Sequence, residues 1–245
     1  FFKQKTAYEI KECDWSSDVC SSDLPVVTKD LPYDPLKDLV PITVAAENVL
    51  GVAATASLPF ASMKELEAYA KQNPGKINWT ATPGLPQFVF AAFQKGQNLD
   101  MAYVPYRDAG PALQDLKTGR IHLYVTGVGT FRPLLQSAEA KMIAVLNRAR
   151  FSEMANVETI AEAGFPHLVG DGFNGFFGNA DMKPEVRDRI ARDVAAIAGE
   201  PSMRGRLAAL SQAPRAEGPQ AFADMIAAQS KQIAEIVRTI GVPGQ

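Results

Sequence analysis

The sequence is poor in cysteine and histidine, and this excludes several kinds of chemistry. Its 245 residues contain two cysteines and two histidines. Cys13 and Cys20 both precede Pro25, so the chain from Pro25 onward has no thiol for a disulfide, a nucleophile or a zinc site. His122 and His167 do not form the i, i+4 pair of a helical metal site and have no recognisable serine or cysteine partner. We therefore predict no catalytic residue, no metal and no cofactor.

The chain also lacks an excess of either charge and any long apolar run. It carries 25 lysine and arginine residues against 27 aspartate and glutamate residues. Neither nucleic acid nor an anionic membrane surface is therefore indicated as a partner. The most apolar run, residues 40–54, is interrupted by Glu47 and Asn48. It is shorter than the roughly 20 apolar residues that cross a bilayer.

Residues 1–24 are predicted to be foreign to the fold. The stretches KQKTAYEI at residues 3–10 and DWSSDVCSSDL at residues 14–24 resemble translated sequencing-adapter DNA. The segment has neither the apolar core nor the small-residue cleavage site of a signal peptide. Without its three lysines and five acids, 22 basic and 22 acidic residues remain, so the rest of the chain is formally neutral. We expect the natural sequence, from Pro25, to start inside a longer gene.

A repeated strand–helix pattern occupies residues 100–146. The predicted strands cover residues 101–104, 121–126 and 142–146. One helix is predicted from Pro111 to a stop at Gly119, and a shorter one over residues 131–138. Short connections of this kind are typical of parallel strands joined by right-handed crossovers, so we predict an α/β fold.

Glycine-containing loops follow the strands of this pattern. In a parallel α/β sheet these loops emerge at one edge, where ligands bind. Helices that start there present unpaired N–H groups and the positive end of the helix dipole. The loops holding Ala109 and Gly110, and Gly127 and Gly129, are therefore suited to a small anion such as a carboxylate. The alternative is that these glycines only make tight turns.

Further elements are predicted on both sides of this pattern. Upstream, strands are predicted over residues 42–46, 49–54 and 77–80. A capping box at residues 62–65 (SMKE) starts a helix, and a second helix carries Phe88, Phe90 and Phe93 as core residues. Downstream, the prediction is a short helix over residues 157–163, a strand-like run over residues 168–178, and helices that begin at Pro184, Pro201 and Pro219. This helical tail differs in character from the section before it, which places a domain boundary within residues 169–178.

Four stretches of the sequence resemble the Bug receptors, the solute-binding proteins of tripartite tricarboxylate transporters. They are LPYDPLKDLVPITV at residues 31–44, SMKELEAYAKQNPGKINWTATPG at residues 62–84, VPYRDAGPALQDLKTGRIHLYV at residues 104–125 and VETIAEAGFP at residues 157–166. The similarity covers residues 25–242. It implies a periplasmic receptor, monomeric, that binds a small carboxylate through main-chain N–H groups and waters and delivers it to the membrane subunits of a transporter.

The resemblance also implies a type 2 periplasmic-binding-protein fold, with two α/β domains around a cleft. Residues 49–172 are predicted to form one domain, and residues 25–48 with residues 173–245 part of the other. The family's first strand, its glycine-rich ligand loop and the following helix have no counterpart here. The N-terminal domain is therefore predicted to be incomplete.

Nine residues are the candidate ligand contacts. They are Thr82, Gly84, Tyr106, Arg107, Ala109, Gly110, Thr126, Gly127 and Phe173. Arg107 either pairs with a ligand carboxylate through its guanidinium fork or is a solvated loop residue. Tyr106 is either pocket wall or core, and Phe173 either stacks on the ligand or packs the hinge.

Two positions depart from the pattern of the family within these loops. Leu85 stands where the family has a small hydroxyl residue, and Thr126 stands where an aspartate is common. Because Thr126 offers a hydroxyl instead of a carboxylate, a ligand ammonium group would lose a charge-assisted hydrogen bond. We therefore expect a chain with its missing front restored to prefer simple mono- or dicarboxylates over amino acids.

Two other functions remain open from the sequence. An enzyme is one of them, since a fold alone never excludes catalysis. The other is the ligand-sensing effector domain of a transcriptional regulator, which shares the two-domain cleft. A helix-turn-helix module in the same gene would indicate a regulator, and the sequence contains none.

Overall fold

The computed structural model describes Asp34 and residues 37–241. The predicted foreign segment, residues 1–24, lies outside the described residues. The strands are β1 (Leu39–Asn48), β2 (Leu50–Thr55), β3 (Ile77–Ala81), β4 (Met101–Tyr103), β5 (Leu123–Gly127), β6 (Ala140–Val145), β7 (Gly172–Asn179) and β8 (Gln212–Glu217). The helices are α1 (Met63–Gln72), α2 (Leu85–Gly96), α3 (Ala109–Thr118), α4 (Arg132–Gln136), α5 (Pro184–Ala198), α6 (Pro201–Ala209) and α7 (Pro219–Ile240).

The larger of the two sheets has five strands in the order β4-β3-β5-β2-β6. Strand β3 runs parallel to β4 and β5, while β2 is antiparallel to β5 and β6. The predicted common direction of β4, β5 and β6 is thus confirmed. These strands are not direct neighbours, however, because β3 lies between β4 and β5 and β2 between β5 and β6. All six residues of β2 are buried, as expected for a strand covered on both faces.

Helices cover both faces of this sheet. On one face, α1 and α2 enclose Trp79, which contacts the ring of Phe90 at 4.8 Å between centroids. Phe88, Phe90 and Phe93 are each 1% exposed, which confirms them as core residues. On the other face, α3 and α4 pack against Tyr124 of β5.

The predicted capping box at the start of α1 is confirmed. Ser62 Oγ accepts a hydrogen bond from the Glu65 main-chain N–H at 3.2 Å. Glu65 Oε2 accepts one from the N–H of Ala61 at 2.6 Å. Two N–H groups at the helix start are thereby satisfied by side chains, which stabilises the first turn.

Helix α3 begins two residues earlier than predicted, at Ala109 instead of Pro111. Asp108 has the extended backbone of an N-cap, and Ala109 and Gly110 form the first turn with Pro111. Proline is tolerated throughout this turn because the N–H that it lacks would have no partner in the helix. Gly119 ends the helix with φ 75°, as predicted.

The prediction of a helix over residues 157–163 is wrong. These residues form turns, with one bridge between Thr159 and Val145. Thr159 and Glu162 do imitate a capping box, since the Glu162 N–H donates to Thr159 Oγ1 at 3.1 Å and the Thr159 N–H donates to Glu162 Oε2 at 2.8 Å. The turn is not continued because Gly164 has φ 100° and Pro166 follows.

A second, three-stranded sheet has the antiparallel order β7-β1-β8. Strands β1 and β7 were expected, but β8 was not. Its sequence, QAPRAE, has a proline and two charged residues and no apolar alternation. Pro214 fits here because β8 is an edge strand of this sheet among the described residues. The strand β8 therefore forms through main-chain pairing with β1, although the pattern of its side chains does not indicate a strand.

The chain passes between the two sheets twice. We call residues 48–50 the first crossover and residues 168–172 the second crossover. Helix α7 packs against both sheets, because Phe222 and Ile226 contact the three-stranded sheet while Ile233 belongs to the core around α2. The C-terminal helix predicted for one domain thus contributes to both cores. The domain boundaries themselves remain a prediction.

Residues 146–148, which follow β6, hold both crossovers. The Leu50 N–H donates to Asn147 Oδ1 at 2.8 Å, and this asparagine is 1% exposed. The Gly170 N–H donates to the carbonyl of Leu146 at 2.9 Å. The two connections between the sheets are therefore fixed to one short segment.

Candidate functional site

The carboxyl ends of β4, β3 and β5 lie side by side. Trp79 is opposite Tyr103, and Ala81 is opposite Val125. The loops that follow these strands therefore emerge at one edge of the sheet, which we call the carboxyl edge. Six of the nine candidate residues lie on these loops or at the helix starts that follow them, and two more, Thr126 and Gly127, are the last residues of β5. The exception is Phe173, which lies in β7.

Two threonine hydroxyls meet at this edge. The Thr82 N–H donates to the Val125 carbonyl at 3.0 Å, which extends the pairing of β3 with β5 beyond Ala81. Thr82 Oγ1 and Thr126 Oγ1 are 2.6 Å apart, so one hydroxyl donates to the other. Thr126 is 6% exposed and Thr82 is half-buried. The structure thus brings together two candidates that are far apart in the sequence.

A tyrosine that the sequence did not indicate lies behind this pair. Tyr124 is two residues before Thr126 on β5, so both side chains face the same side of the sheet. It is 4% exposed, and burial raises the pKa of its hydroxyl. The nearby hydroxyls of Thr82 and Thr126 offset part of that increase in pKa. Its hydroxyl therefore stays protonated and belongs to the same cluster as the two threonines.

The sequence does contain a signal for this cluster. Tyr124 and Thr126 of β5 and His122 just before it alternate with apolar residues, and so do Thr80 of β3 and Thr82 just after it. Thr80 is directly opposite Tyr124. A polar stripe across two neighbouring strands is unusual in a buried sheet, and it marks the face on which the cluster lies.

Helix α2 starts at the carboxyl edge from Gly84. This glycine is buried and has φ 99° and ψ −144°, a conformation that side chains disfavour. No side chain caps the helix, and its first turn has no acidic residue. Leu85 is 0% exposed and packs in the core, so it does not occupy the edge where the family has a small hydroxyl residue.

Helix α3 presents its N-terminus at the same edge. Ala109 and Gly110 form its first two positions and are exposed. The side chain of Asp108 does not cap the helix, and the first turn again has no acid. Both helices thus leave their first amides without a side-chain cap, and their dipoles favour negative charge at this edge.

Tyr106 and Arg107 lie in the loop before α3. The Tyr106 hydroxyl donates to Asp115 Oδ2 at 2.5 Å, and burial together with this bond raises its pKa to about 12. The hydroxyl is thus bonded to α3, and the ring packs beside the core under that helix. Arg107 is exposed and makes no ion pair within residues 37–241. Its guanidinium group is accordingly accessible to a ligand or to solvent.

Gly127 places the third loop against the first crossover. A Cβ atom on Gly127 would lie 3.3 Å from Asn48 Oδ1. The N–H of Val128 donates to the carbonyl of Val49 at 2.7 Å. The end of β5 is therefore fixed to the connection between the sheets.

The same loop contacts the turn before β8. A Cβ atom on Gly129 would approach the Leu210 carbonyl oxygen to 2.5 Å, so no side chain fits there. Arg132 Nε donates to Ser211 Oγ at 2.9 Å, and Arg132 also pairs with Glu153 at 2.6 Å. Gly129 is thus a close-approach glycine. Local sequence patterns indicate neither the half-buried Arg132 nor the buried Asn147 as a residue that joins distant segments.

Phe173 lies in the three-stranded sheet. It is opposite Glu47, and its ring contacts Phe222 edge-on at 5.6 Å between centroids. This is the packing role that was one of its two alternatives. A contact between Phe173 and a ligand remains a prediction.

The described residues offer no second candidate site with comparable hydrogen-bond donors. A shallow cavity of about 330 Å³ lies between the C-terminal ends of α2 and α7, remote from the carboxyl edge where α2 starts. Within residues 37–241 no three His, Cys, Asp or Glu side chains are grouped to hold a metal ion. No helix among these residues is both long and apolar enough to cross a bilayer.

Comparison with known proteins identifies a family for the whole arrangement. The family model described as "Tripartite tricarboxylate transporter family receptor" (TctC) matches residues 15–242. The match starts within residues 1–24, so the end of the foreign segment at residue 24 remains a prediction. The chain is 26% identical over 221 residues to a UPF0065 protein of Bordetella bronchiseptica, covering 89% of this chain and 65% of that protein.

Solved structures show the same fold. One, of a periplasmic transporter, is 26% identical with a TM-score of 0.82, covering 92% of this chain and 76% of that one. Another, an R. palustris protein with adipate, is also 26% identical with a TM-score of 0.79, covering 87% of this chain and 72% of that one. The α/β fold of the periplasmic-binding-protein type is thereby confirmed.

The curated relatives are longer than this chain. The chain spans 62% to 67% of the length of the first curated relatives that it matches. The family that matches consists of receptors for solutes and not of enzymes. With a family model that covers residues 15–242, the chain belongs to the tripartite tricarboxylate transporter receptor family.

Proposed function

We propose that this chain is a solute-binding receptor that captures a small organic carboxylate at the carboxyl edge. The observation that carries the proposal is the meeting of three features there. The N-termini of α2 and α3 lack side-chain caps, and the Thr82–Thr126 hydroxyl pair lies on the adjacent strand ends. Each feature offers hydrogen-bond donors, and an anion accepts from all of them.

The charge around these donors favours an anion once Arg107 neutralises its neighbour Asp108, the N-cap residue of α3. Neither helix has an acid in its first turn. The exposed guanidinium group of Arg107 lies in the loop before α3 and carries no partner within residues 37–241. We assign to it the distal carboxylate of a dicarboxylate, which it can bind with two parallel hydrogen bonds.

The remaining candidate residues shape the site in this proposal. Gly84, Ala109 and Gly110 supply main-chain N–H groups, and Gly127 allows the third loop to approach closely. Tyr106 and Phe173 form apolar walls on the two sides of the ligand. Binding would bring the two sheets together about the crossovers, with residues 49–172 as one unit and residues 37–48 with 173–241 as part of the other.

A relative supports carboxylates as the class of ligand. The R. palustris protein that was solved with adipate, a dicarboxylate, is 26% identical to this chain. We further propose the periplasm as the location, a monomer as the working form and the membrane subunits of a tripartite tricarboxylate-type transporter as the partner. The family supports the transporter as the partner, and a solved relative described as a periplasmic transporter supports the location.

Calorimetric titration of the full chain with pairs of acids tests the proposal. Adipate and succinate are compared with their α-amino counterparts, for example succinate with aspartate. Thr126 has no charge to pair with an ammonium group, and such a bond contributes about 1.5–3 kcal/mol. We therefore expect the simple acids to bind roughly ten- to a hundredfold more tightly.

Variants locate the binding to this edge. Arg107→Ala should weaken the dicarboxylates more than a monocarboxylate, because only the former have a second charge to lose. Lys95→Ala, in the cavity between α2 and α7, serves as the control and should change neither. Tighter binding of the amino acids throughout, or an equal effect of both variants, would contradict the proposal.

A further inference from the structure

One arginine side chain reaches from the five-stranded sheet to the turn before β8. Arg132, the first residue of α4, donates from Nε to Ser211 Oγ at 2.9 Å and from Nη2 to the main-chain carbonyl of Ala208. Both acceptors belong to residues 208–211, which end α6 and lead into β8 of the three-stranded sheet. Helix α4 packs on the five-stranded sheet, so these contacts join one sheet to the other. We call them the arginine link.

Glu153 holds the guanidinium group in this position. It follows β6, on the same side of the link as α4, and its Oε2 lies 2.6 Å from Arg132 Nη2. This nitrogen carries two hydrogens, one for Glu153 and one for the carbonyl of Ala208. Because the guanidinium group is planar and rigid, the carboxylate directs its remaining donors towards residues 208–211.

The turn on the other side of the link carries a residue that its backbone disfavours. Ser211 is 0% exposed and has φ 57°, a conformation in which glycine is the usual residue at the end of a helix. Glycine would avoid this strain but would offer Arg132 no hydroxyl. Beside it, the carbonyl oxygen of Leu210 lies so near Gly129 that a Cβ atom there would be 2.5 Å away. The two sides therefore touch through their main chains at the place where Arg132 reaches across.

We propose that the arginine link is a releasable connection that holds the two sheets in their present relative orientation, with Glu153 as the residue that positions Arg132. The crossovers are covalent, and α7 joins the sheets through apolar side chains that separation would expose to water. The side chains of Arg132 and Glu153 are 31% and 37% exposed, so water can replace their hydrogen bonds when the link parts. Of these connections, the arginine link therefore requires the least free energy to break.

Distances between two spin labels test the link on the full chain without ligand. One label is attached through Gln114→Cys on α3 and the other through Ala196→Cys on α5, which packs on the three-stranded sheet. Both positions are exposed, so the labels disturb no core. Cys13 and Cys20 are replaced by serine, so that no other thiol is labelled. Electron paramagnetic resonance then gives the distribution of distances across the link.

We expect Arg132→Ala to broaden this distribution by adding orientations that the labelled parent does not show. The matched control is Arg150→Ala. Arg150 also binds a carboxylate, that of Glu162, and a main-chain carbonyl, that of Ala155, but all three residues lie between β6 and β7. Its replacement removes similar bonds and leaves the link intact, so the distribution should not change. Equal broadening in both variants, or none in Arg132→Ala, would overturn the proposal.

Two further variants separate the parts of the link. Ser211→Gly removes one acceptor and suits the backbone of the turn, so it should also broaden the distribution. If Arg132→Ala does not fold, this variant decides, and a distribution like that of the parent would overturn the proposal. Glu153→Gln keeps an acceptor and removes the charge, so its distribution should lie between those of the parent and Arg132→Ala. No broadening in Glu153→Gln would overturn the role of Glu153.

These measurements do not depend on the proposed function. They are made without ligand, so a chain that binds no carboxylate can still show the arginine link. Conversely, a distribution that is unchanged in Arg132→Ala leaves carboxylate binding at the carboxyl edge untouched.

Discussion

Single residues decide the chemistry of the carboxyl edge. Thr82 and Thr126 were identified from the sequence because strand–loop–helix patterns place such residues at one edge. Tyr124 was not, because its role depends on which strands are neighbours. Leu85 was singled out only as a departure from the pattern of the family, and its burial places it in the core. Sequence patterns thus indicate the edge, and register selects the side chains that face it.

Gly84 gives a prediction at this scale. Its φ of 99° lies in the region that favours glycine, so Gly84→Ala should destabilise the protein by about 1–2 kcal/mol. The control is Gly96→Ala at the other end of α2, where an added Cβ meets no atom within 4 Å. That variant should instead stabilise by roughly 0.5–1 kcal/mol. Urea midpoints measure both, and equal effects would argue against strain at Gly84.

At the scale of the elements, the sequence predicted those with strong local signals. The capping box of α1, the proline starts of α5, α6 and α7 and the glycine end of α3 all hold in the structure. Strand β8 was not predicted, because its conformation depends on pairing with the distant strand β1. The helix over residues 157–163 was predicted wrongly, because Gly164 ends the turn before a second helical turn can form.

The pairing of β3 with the segment before β5 predicts a dependence of stability on pH. The Asn78 N–H donates to His122 Nδ1 at 2.9 Å, which requires this nitrogen to be unprotonated. Burial lowers the pKa of His122 from its ordinary value of 6.5. Protonation therefore favours the unfolded chain, so this contribution is present above pH 6.5 and is lost as the pH falls below it.

His122→Asn separates this effect from general acid denaturation. The asparagine Oδ1 can accept the same hydrogen bond without titrating. We expect the unfolding free energy of the wild type to fall more steeply below pH 6.5 than that of His122→Asn. Chemical denaturation at a series of pH values measures the two slopes. Equal slopes would show that His122 does not contribute.

At the scale of the whole molecule, the two sheets differ in how well they are covered. All six residues of β2 are buried, whereas none of the six residues of β8 is. Native-state hydrogen exchange should therefore be slowest in β2, β3 and β5 and faster in β7 and β8. Mass spectrometry of proteolytic fragments resolves these segments. Equal protection of both sheets would contradict the expected difference.

The attachment of both crossovers to residues 146–148 restricts how the sheets can move. Leu50 is tied to Asn147, and Gly170 is tied to Leu146, so the two connections share one anchor. Because both crossovers are attached to residues 146–148, the two sheets can rotate relative to each other about this segment but cannot easily slide past each other. In the proposed function, the angle between the sheets would then change with the chain length of the bound acid, while the axis of rotation would stay the same.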